Sequence, residues 1–225
     1  MAKHSIWLTL ACSVALTAPA LAGAQTAETT HEAHRLHRDS ASYIAALEDP
    51  ARDAWQKPHE VITALGLQPG ETIADIGAGS GYFALRFAHH VGPSGRVFAV
   101  DVSRDMLTYL ERRAAEAELE NVQTVLAPPD DPQLPAGSVD RVFVCDVWHH
   151  IEAQEGYLAR LRKALRPSGE VVMVDFHKRD LPVGPPSSMK IAREDLITQL
   201  EANGFRLVRE HTFLPYQYFL VFSPR

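Results

Sequence analysis

From residue 71 onward the chain alternates short apolar runs with amphipathic stretches. Thr72–Ile76 follows a Pro69-Gly70 turn, and comparable runs recur at Arg96–Val100, Val122–Leu126, Val139–Cys145 and Glu170–Phe176. The last of these is apolar without interruption through Val171-Val172-Met173-Val174, the pattern of a strand covered on both faces. The intervening stretches predict helices over Gly81–His89, from an N-capping Ser103 through Ala117, over Ala153–Leu165, and over Arg193–Ala202 before Asn203-Gly204. Two further strands, Phe205–Phe213 and Tyr218–Phe222, are joined by a turn at Pro215. That connection is too short for a parallel crossover, so the two must pair antiparallel. The expected architecture is α/β: a doubly wound, mostly parallel seven-stranded sheet that ends in an antiparallel C-terminal hairpin.

The region before residue 60 differs in kind. Lys3 and His4 precede an apolar run from Ile6 to Leu21 that closes on Ala20-Leu21-Ala22 and Ala22-Gly23-Ala24. Small residues at that spacing, with Pro19 near the end, predict a signal peptide over residues 1–24 and export to a bacterial periplasm; an uncleaved anchor is the alternative. Cleavage would leave Cys145 as the sole cysteine, without an intrachain disulfide or a stable membrane span. Residues 25–59 are expected to form a polar linker and a cap helix, including Tyr43–Leu47, ahead of a main domain over 60–225 that begins with a helix at Glu60–Leu65. His31, His34 and His37 could share one helical face, but no cysteine or acidic cluster completes a metal site, and a solvated segment is the expected reading.

Composition narrows the partners. The 225 residues are 46% hydrophobic and 22% charged, with a formal net charge of −6. No dense Lys/Arg block is present, which argues against a nucleic-acid partner and for a small-molecule substrate.

The chemistry concentrates where the first strand meets its helix, in Asp75-Ile76-Gly77-Ala78-Gly79-Ser80-Gly81. Glycines let the turn tighten and let a ligand touch the backbone. A dinucleotide fingerprint needs glycine at position 82, which is Tyr82. The pattern D-x-G-x-G-x-G instead resembles motif I of the class I S-adenosylmethionine (SAM)-dependent methyltransferases. That resemblance covers roughly residues 60 to 223 and implies a Rossmann-like fold and SAM as cofactor. It also implies that Asp75, Gly77, Ala78, Gly79 and Gly81 form the loop for its methionine part. Asp101, at the end of strand two, matches the ribose acceptor with Val102 beside it. Asp130 matches the acid near the adenine amino group, although Pro128-Pro129-Asp130-Asp131-Pro132 departs from the family run and leaves Asp131 as a rival.

Strand four leads into Cys145-Asp146-Val147-Trp148-His149-His150, and open α/β sheets bind ligands at such carboxyl ends. The resemblance to relatives with an Asn-x-x-His-His run implies that Asp146 or its backbone meets the SAM amine. It also makes His149 and His150, with Asp146, the candidate catalytic residues. A nicotinamide-dependent oxidoreductase is disfavoured by the glycine spacing. An exported, non-catalytic SAM- or nucleoside-binding protein on the same fold stays open, because SAM is made in the cytoplasm.

Overall fold

The computed structural model describes residues 40–151 and 153–225. The expected signal peptide, the His31, His34 and His37 face and most of the linker lie outside the described residues. The elements run α1 (Ser40–Leu47), α2 (Arg52–Gln56), α3 (Pro58–Leu65), β1 (Thr72–Ile76), α4 (Ala84–Val91), β2 (Arg96–Asp101), α5 (Arg104–Glu116) and β3 (Val122–Leu126). They continue with β4 (Val139–Cys145), α6 (Gln154–Ala164), β5 (Leu165–Phe176), α7 (Arg193–Ala202), β6 (Phe205–His211) and β7 (Gln217–Pro224).

The sheet has seven strands in the order β3-β2-β1-β4-β5-β7-β6. Pairings are parallel from β3 to β5, whereas β5–β7 and β6–β7 are antiparallel. The Rossmann-like α/β fold and its terminal hairpin are therefore as expected.

Strand alternation splits the core in two. Ala74, Ile76, Phe98, Val100, Val171 and Met173 face one way, onto Leu158 and Leu161 of α6 and Leu196 and Leu200 of α7. Ile73, Val97, Ala99, Phe143, Val172 and Val174 face the other way, onto Val61 of α3, Phe87 of α4 and Leu110 of α5. A sheet covered on both faces requires apolar residues at consecutive positions, which is why β1 and the end of β5 are buried throughout.

Several element boundaries differ from expectation, among them β6, which ends at His211, and β7, which spans Gln217–Pro224. Helix α4 begins at Ala84, not Gly81, because Gly81 has φ 91 and cannot be helical; the glycine turn extends to Phe83. Strand β5 begins at Leu165, not Glu170, and Pro167-Ser168-Gly169 is taken up in a register shift before pairing resumes at Arg141↔Glu170. Helix α2 had no counterpart in the sequence pattern. It is one short turn, closed by Lys57 in the left-handed region (φ 46), and Pro58 opens α3 directly after it.

The strand order reverses between β1 and β4. Ligand crevices of open α/β sheets form at such a switch point, outside the carboxyl ends of the strands. Both Asp75-to-Gly81 and Asp146 sit there.

Candidate active site

The glycine loop is fixed first by its backbone. Gly77 and Ala78 donate to the Val100 carbonyl at 2.8 and 3.0 Å, and Gly79 donates to Oδ2 of Asp101 at 2.8 Å. Gly77 has φ 69, and a Cβ there would stand 2.3 Å from the Val147 side chain. Gly79 has φ 53, and its Cβ position lies 3.1 Å from Leu47. The loop is thus enclosed by the β4 exit on one side and by α1 on another.

Asp101 ends β2 half-buried, with Oδ1 accepting from the Ser103 amide at 2.8 Å while Oδ2 holds Gly79. Each carboxylate oxygen is thus held by a backbone amide, which fixes the orientation of the group. Beside it Val102 is 58% exposed, unusually open for a large apolar side chain. Asp130 is exposed on the connection that leaves β3, next to β2. Asp131 is occupied differently: it pairs with Arg160 at 3.3 Å and accepts from the Gln133 amide, so it serves the loop.

The β4 exit gathers the titratable groups. Asp146 adopts φ 58, a left-handed conformation that is costly for a residue with a Cβ. The turn is closed by its amide on the Val174 carbonyl (3.0 Å), and Gln217 Nε2 donates to both carboxylate oxygens at 2.7 and 2.9 Å. Burial and then the neighbouring Asp175 push the Asp146 carboxyl up to about 7, against the pull of Arg52, Gln217 and His149. Asp75, at the head of the loop, is pushed up to about 8 by burial and then by Asp101.

His149 Nδ1 lies 3.0 Å from Oδ2 of Asp175, and the two side chains are only 3% and 1% exposed. The other Asp175 oxygen accepts from the Phe176 amide at 2.8 Å, which fixes the carboxylate. Burial alone would lower the His149 pKa, but the Asp175 hydrogen bond and charge outweigh it and raise the imidazole above its ordinary value. His150 is exposed, with its ring 4.2 Å from that of His149. The structure therefore brings Asp146, His149 and Asp175 together and sets His150 at the rim.

The N-terminal helices complete the roof. Glu48 accepts from Ser80 and Arg113 at the glycine loop. Asp53 pairs with Tyr82 and Arg86. Gln56 is fully buried and donates to Oε1 of Gln217 at 2.9 Å.

Residues 73–169 match the family model of a methyltransferase domain. The structure superposes on a SAM-dependent methyltransferase from Aquifex aeolicus with a TM-score of 0.77 and 26% identity, covering 80% of this chain and 96% of that one. A 37.1 kDa protein in transposon TN4556 of Streptomyces fradiae is 34% identical over 141 residues, 60% of this chain and 38% of the other. The ubiquinone/menaquinone biosynthesis C-methyltransferase UbiE of Bordetella parapertussis is 29% identical over 119 residues, 53% of this chain and 46% of the relative. This chain thus spans less than half of the length of these two curated relatives. These likenesses are all to methyltransferases except the transposon protein, whose name gives no activity.

The cofactor of class I methyltransferases is SAM, and the residues present fit it. The glycine loop is a close backbone cradle, Asp101 is an oriented carboxylate, and Asp146 is a half-buried acid suited to an ammonium group. Asp175, Gln56, Gln217 and Arg52 escaped the sequence reading. Asp175 had a signal, since it lies near the carboxyl end of β5 as Asp101 lies at that of β2. The two glutamines and Arg52 had none, because only the fold brings α2 and β7 to the β4 exit.

Proposed function

We propose that this protein is a SAM-dependent methyltransferase that methylates a small acceptor at an atom carrying an acidic proton. The observation that carries this reading is the buried His149–Asp175 pair beside Asp146, at the crevice next to the glycine loop. SAM, when bound, supplies a methyl group on a positively charged sulfur, which retains the electron pair of the broken carbon–sulfur bond. Gly77, Ala78, Gly79 and Gly81 would cradle its methionine part, with Asp75 at the head of that loop. Asp101 would accept from the ribose hydroxyls, Val102 would cover the adenine and Asp130 would take its amino group. Asp146 would receive the ammonium.

His149 is the base, and His150 lines the rim through which the acceptor arrives. Asp175 holds Nδ1 in its protonated form, leaving Nε2 to take the acceptor's proton, and it stabilises the resulting imidazolium. Loss of that proton would leave the acceptor atom with the electron pair it needs to receive a methyl group. Relatives named as quinone C-methyltransferases make an electron-rich hydroxylated ring the first acceptor class to try. The test is a transfer assay with methyl-labelled SAM against a panel of quinols and phenols. His149→Gln is expected to lower kcat by about 10²–10⁴-fold while SAM affinity is unchanged. Undiminished transfer by this variant would remove His149 from the mechanism.

A further inference from the structure

The roof of the crevice holds a cation that the fold itself does not neutralise. Arg52 lies half-buried on α2, with its guanidinium 4.0 Å over the ring of Tyr82. Nη1 donates to the Leu47 carbonyl at 3.3 Å, and Nε and Nη2 donate to Oε1 of Gln56 at 3.4 and 3.3 Å. These bonds engage three of its five N–H donors, leaving one on each terminal nitrogen. Among the described residues no carboxylate stands within 4.0 Å of it, although its charge is felt at Asp75, Asp146 and the Tyr43 hydroxyl.

What separates this cation from the nearest acid is a chain of amides. Arg52 can only donate and an ionised Asp146 can only accept, so the two glutamines between them have one self-consistent orientation. Gln56 Oε1 takes the guanidinium, Gln56 Nε2 donates to Gln217 Oε1 at 2.9 Å, and Gln217 Nε2 donates to Asp146 at 2.7 and 2.9 Å. The relay holds a positive and a negative pole apart at one crevice and keeps them from collapsing onto each other. A guanidinium with free N–H donors and a half-buried carboxylate suit a ligand that carries both charges on adjacent carbons, which is the geometry of an α-amino acid.

We infer that Arg52 binds the α-carboxylate of the cofactor's methionine part while Asp146 binds its ammonium, with the Gln56–Gln217 relay setting the spacing of this zwitterion clamp. This inference rests on the SAM reading above and adds to it the residue that recognises the carboxylate. Helix α2 thereby becomes part of the cofactor site and not merely a cover for it.

Three ligands separate the poles in calorimetric titrations: SAM, decarboxylated SAM (which keeps the amine) and 5′-methylthioadenosine (which lacks both groups). The unaltered protein is expected to prefer SAM to decarboxylated SAM by tenfold or more. In Arg52→Gln that preference falls to about onefold while affinity for the two ligands without a carboxylate is retained. Asp146→Asn instead weakens SAM and decarboxylated SAM together and spares methylthioadenosine. The inference is overturned if Arg52→Gln keeps the preference or weakens all three ligands equally. It is overturned as well if the unaltered protein does not distinguish SAM from its decarboxylated form, a measurement that needs no variant. Failure of the unaltered protein to bind any of the three would sink the SAM reading itself.

Discussion

His149 illustrates how opposing effects on one side chain set a usable base. Burial disfavours the imidazolium, and the Asp175 carboxylate at 3.0 Å favours it more strongly, so the pKa is raised. Base catalysis needs the neutral ring, so kcat is expected to climb with pH through a midpoint above the ordinary histidine value of about 6.5. Asp175→Asn removes the charge that favours imidazolium while leaving the burial, so the midpoint should move to lower pH. It should also lower kcat, because the developing imidazolium loses its partner. A pH–rate profile whose midpoint stays fixed in Asp175→Asn would mean that the titrating base is another group.

Elements carry the next layer, because the site is assembled from pieces far apart in the chain. Gln217 opens β7, Gln56 closes α2, and Asp146 leaves β4; the antiparallel β5–β7 pairing places Gln217 opposite Phe176 at the crevice end of the sheet. The strands, the order of helices and the hairpin were legible in the sequence because buried strands and amphipathic helices write their periods locally. The glycine loop, Asp101, Asp146 and His149 were legible because strand ends near a switch point follow a general rule. The amide relay was not, since no local pattern marks a glutamine as buried or names its partner. Its contribution can be measured. Gln217→Leu leaves Asp146 without its two amide hydrogen bonds and Gln56 Nε2 with only the Cys145 sulfur, at 3.5 Å, to accept from it. A loss of about 1–3 kcal/mol of unfolding free energy is expected in urea titrations. A loss below about 0.5 kcal/mol, the range of an ordinary surface substitution, would show that the relay is replaced by solvent.

At the scale of the whole molecule, the crevice edge concentrates negative charge within a protein that is already at −6. Asp75, Asp101, Asp146 and Asp175 all stand at or near the carboxyl ends of β1, β2, β4 and β5. Asp75 and Asp146 are raised to about 8 and about 7 from an ordinary 3.8, so the native state holds their protons where the unfolded chain has released them. Stability contributed by such groups is present at low pH and is lost as pH rises through 7 and 8. His149 acts in the same direction, because its raised pKa also means that native stabilisation fades as the ring deprotonates. The ligand-free protein is therefore expected to melt at a lower temperature at pH 9 than at pH 6, by on the order of 5 °C. Asp146→Asn cannot ionise and should flatten part of that slope. A bound sulfonium cofactor with its own ammonium group should flatten it too, by supplying the positive charge that these carboxylates lack. The same mechanism requires SAM to bind more tightly as pH rises through about 7, where Asp146 becomes a carboxylate. Thermal melts at several pH values, with and without SAM, check both effects together; a melting temperature that is constant or rises from pH 6 to 9 would show that these acids are already ionised in the native protein.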